Sequence, residues 1–315
     1  MQQAVLNCAT MRVANTTEVS GRVTADSIKH ELYANKQNNL WRLMCILAAV
    51  TLIPALVHAQ NNQGNGPTPI PGVGFTIFTD GGYLSPPTPG IITPTPLAAA
   101  GWTQNFPNRT SVGVVTFSIG GVIFTKVTLS GTFTINPDGS MSSIVQQTSP
   151  PGFLLHFIGY PLPDNSLNAF IGTDPGGNVT GYNILGHGSV QNITLATLKG
   201  TYVSAEEGFL TDGQGHQQPY SVAGHEFING DGFAHGTVSY SIQGQIQQKT
   251  NYTATFDLVG DGSIYKTATT TPGKLVTHYY LYPTPDGNYI ASVQSDAGST
   301  LCGIFTRSQS PRNQQ

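Results

Sequence analysis

The stretch PYSVAGHEFINGDGFAHGTVSYSI, residues 219–242, decides how this chain folds. Two runs rich in Val, Ile, Phe and Tyr flank the turn sequence Asn-Gly-Asp-Gly at 229–232. Apolar and β-branched runs that are separated by such a turn are typical of a β-hairpin. The stretch therefore predicts two antiparallel strands joined by a tight turn.

The register of this hairpin predicts which side chains face inward. We centre the turn on Gly230-Asp231, because glycine adopts positive φ there and aspartate forms local turn hydrogen bonds. Side chains alternate between the two faces of a sheet. With this register His225 faces the interior, whereas Glu226 and His235 form a cross-strand pair in solvent.

Outward from the hairpin, the same pattern repeats along the C-terminal part of the chain. Short turns rich in Gly, Asp and Pro separate β-rich segments, and no stretch shows a sustained helical period. The eight segments are TYVS (201–204), PYSVAGHEFI (219–228), FAHGTVSYSI (233–242), NYTATFDL (251–258), SIYKTATT (263–270), KLVTHYYLY (274–282), NYIASVQS (288–295) and TLCGIFTR (300–307). Eight consecutive antiparallel strands predict an up-and-down barrel, with an open sandwich as the alternative.

The chain also contains an internal duplication. GVVTFSIGG at 113–121 aligns with GTVSYSIQG at 236–244, and 12 of 35 positions are identical between 113–147 and 236–270 without a gap. The alignment continues to the end of each copy after a one-residue deletion. We therefore predict an all-β protein with two tandem antiparallel β-barrel-like (or open sandwich) domains of about eight strands each.

The N-terminal region resembles a secretion signal. Residues 43–57 form an apolar run that follows Lys36 and Arg42 and ends in small residues before Gln60. We predict cleavage near Ala59/Gln60, and hence a periplasmic, cell-surface or extracellular protein without a stable transmembrane helix in its mature part. The predicted organisation is a leader with signal peptide (1–59), a Pro/Gly/Asn-rich linker (60–74), copy one (75–197), copy two (198–308) and a polar tail (309–315).

Composition excludes several classes of function. Charged residues are only 9% of the chain, the net charge is −3 and no basic block occurs, so we expect no nucleic-acid partner. After signal cleavage Cys302 is the single cysteine, which excludes an internal disulfide and favours a small buried residue. No nucleophile elbow, phosphate-binding loop or Cys-x-x-Cys occurs, so we assign no catalytic residue and expect no cofactor.

Two histidines that match across the duplication are the best candidates for a site. His156 and Tyr160 in copy one correspond to His278 and Tyr282 in copy two. Residues at i, i+2 and i+4 share one face of a strand, so Tyr280 joins the second set. If this face lines a barrel interior, imidazole and phenol groups orient a polar ligand there, and the inward His225 adds to the set.

Other polar residues have simpler explanations. The aspartates that recur in both copies sit beside Gly or Pro and are explained as turn formers. Because our register puts His225 and His235 on opposite faces, we expect no metal site. The doublet Glu206-Glu207 has no counterpart in copy one, and we expect it to face solvent.

Copy two resembles a group of secreted bacterial β-proteins of unassigned activity. The residues that carry this are LKGTYV (198–203), YSVAGHEFINGDG (220–232) and THYYLYPTPDGNYIASVQSDAGSTLCGIFTR (277–307). The strand layout is also similar to that of lipocalin and avidin-like barrels, in which an early Gly-x-Trp/Tyr lies near the barrel base. The resemblance implies that Tyr202 takes that place here.

These observations favour an exported, non-catalytic binding or cell-envelope module that holds a small apolar or carbohydrate ligand. Protein partners are not indicated by the sequence. An isomerase or cyclase built in a small barrel is an alternative, and a buried acid/base pair would favour it. A single outer-membrane barrel of about sixteen strands is another alternative, although the chain shows no outward apolar band with aromatic girdles.

Overall fold

The computed structural model describes residues 74–84, 95–149, 151–162, 164–175, 177–212 and 214–308. Within these residues the chain forms sixteen strands. The first eight are β1 Gly74–Leu84, β2 Thr95–Asn105, β3 Thr110–Ile119, β4 Val122–Ile135, β5 Met141–Ser149, β6 Pro151–Pro161, β7 Leu167–Gly172 and β8 Gly177–Gly186. The second eight are β9 Gly200–Thr211, β10 Gln217–Ile228, β11 Phe233–Ile242, β12 Gln245–Leu258, β13 Ile264–Thr271, β14 Val276–Pro283, β15 Tyr289–Gln294 and β16 Ser299–Arg307.

Each set of eight strands closes into its own antiparallel barrel. Strand β1 pairs with both β2 and β8, and β9 pairs with both β10 and β16. Closure removes the edge strands that an open sheet would expose. The predicted all-β class with two tandem eight-stranded barrels is confirmed. The single barrel of about sixteen strands is wrong, because each set of eight closes on itself.

The segment between the barrels forms two 3₁₀ turns, Val190–Asn192 and Leu195–Leu198. Ile193 and Leu198 are buried in the core of the second barrel and cover one of its ends. The first strand of that barrel places Tyr202 at the same end, with the Arg307 guanidinium 5.5 Å from its ring centroid. Tyr202 also donates a 2.6 Å hydrogen bond to the Gly287 carbonyl, and this end of the barrel is closed.

The two barrels share a buried core. Outward-facing apolar side chains of β1 and β2, such as Ile77 and Ala100, pack in one cluster with outward residues of the second barrel, such as Val293. Polar contacts cross the same boundary, and the hydroxyls of Thr116 and Tyr282 lie 2.7 Å apart. Contact between the barrels therefore buries side chains that alternation alone would leave in solvent.

The predicted leader, its cleavage site, the linker up to residue 73 and the tail from 309 lie outside the described residues. Among the residues that are described, no helix is long and apolar enough to cross a membrane.

Candidate functional site

Charged side chains occupy the interior of the second barrel. Glu206 on β9, Glu226 on β10 and Lys266 on β13 are exposed by only 6%, 1% and 3%. Each lies at an alternate strand position that points inward with apolar neighbours, as Lys266 does between Ile264 and Ala268. Charged residues are almost never fully buried unless they are paired, so this cluster needs a specific explanation.

Lys266 and Glu226 form a buried ion pair. The Lys266 Nζ atom lies 2.6 Å from Glu226 Oε2. The Tyr252 hydroxyl donates to the same oxygen at 2.6 Å. Glu226 Oε1 is buried and has no hydrogen-bond partner among the described residues. One carboxylate oxygen therefore accepts two short hydrogen bonds while the other keeps an unused acceptor.

Aromatic rings enclose the Lys266 ammonium. Its Nζ atom lies 4.7 to 5.7 Å from four ring centroids, those of Phe305, Tyr252, Tyr279 and Phe256. The negative face of an aromatic ring attracts a cation at this distance, and the attraction strengthens when water is excluded. The rings and Glu226 together replace the water that this ammonium loses on burial.

Glu206 forms a second polar centre beside this pair. The Ser292 hydroxyl donates to Glu206 Oε1 at 2.5 Å. Burial raises the pKa of Glu206, while the Ser292 hydrogen bond and the Lys266 ammonium oppose that rise. Burial likewise raises the pKa of Tyr252 and Tyr279, so both phenols stay protonated and able to donate at neutral pH.

Half-buried aromatic side chains lie at the end of the second barrel opposite Tyr202. There Tyr220 and Tyr240 are half-buried and their ring centroids lie 6.4 Å apart in an edge-on arrangement. Val238 is also half-buried and packs against the core nearby. The barrel thus has a tyrosine-lined mouth, a charged layer beneath it and a closed apolar base.

The predicted set His278, Tyr280 and Tyr282 does share one face of β14, but it is the outer face of the barrel. The inward residues of this strand are Tyr279 and Leu281, which are buried in the core. Tyr282 is fully buried between the two barrels, and Tyr280 packs edge-on against Tyr265. These side chains therefore do not line the interior of the second barrel, although the sequence predicts that they would.

His278 instead pairs with an aspartate from a loop. Asp296, which follows β15, accepts from the His278 backbone N–H at 2.9 Å, and its other oxygen lies 2.7 Å from Nδ1 of the ring. The ring also stacks on Tyr265 at 5.7 Å. Asp296 is one of the recurring aspartates that the sequence indicates as turn formers, and its pairing with His278 is not evident from the sequence.

Copy one repeats the same pairing. Asp174 contacts both the backbone N–H and Nδ1 of His156, each at 2.6 Å. Although partial burial raises the pKa of Asp174, its hydrogen bonds and the charge of His156 lower it overall. Tyr160 is 62% exposed on the outer face of β6. The duplicated histidines thus fasten a loop to a strand, and a ligand-binding role for them stays a prediction.

The predicted placement of His225 is wrong. The observed register pairs Phe227 with His235, one residue away from the predicted register that places Phe227 opposite Ala234. His225 is consequently exposed and Glu226 is buried, and the predicted surface pair between Glu226 and His235 does not form. A one-residue change of register moves every side chain of a strand to the other face.

The expectation for the glutamate doublet is half wrong. Glu207 is exposed as expected, whereas Glu206 is buried. Its alternation with Tyr202 on β9 is the sequence signal that indicates the inward face. Among the described residues, no group of three or more His, Cys, Asp or Glu side chains is placed to hold a metal ion.

Comparisons with known proteins give only distant likenesses. No protein-family model matches the chain, and no curated protein sequence matches it. The crystal structure of a "putative AttH" from Nitrosomonas europaea is similar at 9% sequence identity and a TM-score of 0.28, over 79% of this chain and 98% of that one. A protein of unknown function of the DUF3598 family from Nostoc punctiforme is similar at 14% identity and a TM-score of 0.19, over 75% of this chain and 96% of that one. These likenesses are too weak to carry a functional argument.

Proposed function

We propose that this protein is a non-catalytic binding module whose second barrel holds a small molecule with a mainly apolar body and one polar group. The observation that carries the proposal is the arrangement of that barrel. Half-buried Tyr220 and Tyr240 line the end opposite Tyr202, and a buried layer with Glu206 and Lys266 lies beneath them. Binding sites for small molecules are typically apolar and aromatic with a few polar groups that fix orientation.

The chemistry of the layer determines what the polar group meets. The Lys266 ammonium has three donors, and Glu226 accepts one of them. Glu206 supplies carboxyl oxygens that accept, one of them already bonded to Ser292, and burial raises its pKa. A hydroxyl or carbonyl group on the ligand therefore finds both a donor and an acceptor below the tyrosine pair.

We predict that the mouth of the second barrel admits the neutral dye N-phenyl-1-naphthylamine, whose fluorescence rises in apolar surroundings. The substitution Val238→Trp adds bulk where the ligand enters and should weaken dye binding about tenfold, since about 1.4 kcal/mol corresponds to a factor of ten. Fluorescence titration of the mature chain measures this. Thr253→Trp, on the exposed outer face of β12, is the matched control and should leave binding unchanged. Equal affinities for the wild type and V238W would contradict a site in this barrel.

We also propose that the protein is exported. The apolar run at 43–57 and the small residues before Gln60 support this. Intact-mass measurement of the protein isolated from its native cells should give a mature N-terminus at Gln60, and cell fractionation should find it outside the cytoplasm. A cytoplasmic protein that retains residues 1–59 would refute the proposal.

An isomerase or cyclase is the second candidate, and the two buried carboxyl groups of the second barrel support it. Burial raises the pKa of Glu206, whereas Glu226 accepts hydrogen bonds from Lys266 and Tyr252, so the two buried carboxyl groups have different surroundings. An enzyme would convert the molecule that a binding module only holds. A ligand that co-purifies with the Glu206→Gln variant but not with the wild type would favour catalysis. Its mass and chromatographic retention identify it in both samples.

A further inference from the structure

The first barrel contains a carboxylate at the same place as Glu206. Asp80 on β1 lies opposite Ala99 and Gly181 on its two neighbouring strands. Glu206 lies opposite Val222 and Gly303 in the same way. The duplication aligns Gly181 with Gly303, and a Cβ atom at either glycine would come within 2.7 Å of the acidic side chain. The two carboxyl groups therefore occupy equivalent positions in the two barrels.

The partners of this carboxylate are missing from the first barrel. Phe170 aligns with Ser292, so the hydroxyl that binds Glu206 is replaced by a ring. Ser143 has the strand partners Phe133 and Phe157, which correspond to those of Lys266, so the ammonium is replaced by a small hydroxyl. The Lys and Arg residues that the structure describes in this barrel, Arg109 and Lys126, are both exposed.

Two buried acceptors of the first barrel have no hydrogen-bond partner. Asp80 and Asn168 are each only 8% exposed, and Asp80 Oδ1 and Asn168 Oδ1 have no hydrogen-bond partner among the described residues. A buried polar atom without a partner destabilises the folded protein, so a donor that reaches it is favoured. Both atoms accept hydrogen bonds, and a ligand that suits them must donate.

Aromatic side chains lie beside Asp80. Phe170 packs edge-on against Phe157 at 5.3 Å, and the tip of its ring lies beside Asp80 across Gly181. Phe78 shares the inward face of β1 with Asp80 and is buried. Farther along the barrel, Phe124 stacks on Phe117 at 4.9 Å and is 42% exposed.

We infer that the interior of the first barrel binds a small organic ammonium ion, whose charged group lies against Asp80. In the second barrel an ammonium lies between aromatic rings and Glu226. Thr103 takes the place of Glu226 in the first barrel, because it lies opposite Thr76 as Glu226 lies opposite Tyr202, so Asp80 is the carboxylate that remains there to face an ammonium. The ammonium would donate to Asp80 and contact the rings, and the apolar body of the ligand would pack on the phenylalanines. The inferred site is independent of the one proposed in the second barrel.

Isothermal titration calorimetry of the mature chain at pH 8, in a buffer free of amines, tests this inference. The probe is 2-phenylethylammonium, and 2-phenylethanol is its neutral counterpart. We expect saturable binding of the ammonium with at least tenfold higher affinity than the alcohol. Asp80→Asn removes the charge and should weaken ammonium binding at least tenfold. Ser143→Lys places a tethered ammonium in the site and should have the same effect.

Two controls separate this site from the second barrel. Val238→Trp should leave ammonium binding unchanged, and Asp80→Asn should leave binding of N-phenyl-1-naphthylamine unchanged. Equal affinities for the ammonium and the alcohol would overturn the inference, as would ammonium binding that is lost with V238W and kept with D80N. If the wild-type chain binds the ammonium but not the dye, only the proposed function of the second barrel is refuted.

Discussion

Replacing Lys266 with methionine is expected to lower the free energy of unfolding by about 3–5 kcal/mol, the usual cost of removing one partner from a buried ion pair. Methionine keeps most of the volume and the aromatic contacts, so the loss reports on charge more than on packing. Glu226 would be left fully buried with Tyr252 as its single donor. Urea denaturation at pH 7, followed by circular dichroism, measures the change.

The double variant Lys266→Met with Glu226→Gln should recover most of this loss. Removing both charges of a buried pair leaves no uncompensated ion, and Tyr252 still has an oxygen to which it donates. Lys249→Met is the surface control because Lys249 is exposed, and it should change stability by less than about 0.5 kcal/mol. A loss below about 1 kcal/mol in K266M would mean that Glu226 does not depend on Lys266.

The overall architecture could be predicted because it depends on local chemistry that repeats. Turns rich in Gly and Asp, at 229–232 and 259–263 for example, lie between segments of β-branched and aromatic residues. Such turns mark where strands end, and the internal duplication shows that the whole pattern of turns and strands occurs twice. Neither signal depends on which residues meet across the barrel, so both could be read without knowing the pairing.

The face of each side chain could not be predicted because it depends on a single residue in one turn. The loop contains three residues between Asn229 and Phe233, whereas the predicted turn contains only Gly230 and Asp231. The Asn229 side chain accepts from the Asp231 and Phe233 N–H groups, and Gly230 and Gly232 both adopt positive φ. This extra residue exchanges the inner and outer faces and moves Glu226 into the barrel.

The buried charged residues of the second barrel could not be predicted from the sequence either. A glutamate or lysine in a strand is normally exposed, so Glu206 and Lys266 gave no reason to look inward. Their partners are remote in sequence: Glu226 lies 40 residues before Lys266, and Ser292 lies 86 residues after Glu206. Only closure of the barrel brings these groups together.

Asp80 is expected to make the stability of the protein fall as the pH rises through the neutral range. Burial raises the pKa of Asp80 from 3.8 to about 7, although its own backbone N–H opposes the rise. A group whose pKa is raised in the folded state stabilises that state fully at low pH, and this contribution is lost as the pH rises toward the folded-state pKa. The window here runs from about pH 4 to about pH 7, and the total contribution is about 4 kcal/mol at about 1.4 kcal/mol per pH unit.

The variant Asp80→Asn isolates this contribution because an amide does not titrate. The free energy of unfolding of D80N minus that of the wild type should increase by about 3 kcal/mol between pH 4.5 and pH 8, measured by urea denaturation at several pH values. Asp138→Asn should show the opposite sign, since hydrogen bonds from Ser140 lower the pKa of Asp138. A difference between D80N and wild type that is constant with pH would show that Asp80 is ionised without penalty, and an internal cation would then have to face it. A bound organic ammonium should reduce the same difference at pH 8, because it pairs with the wild-type carboxylate and not with the amide.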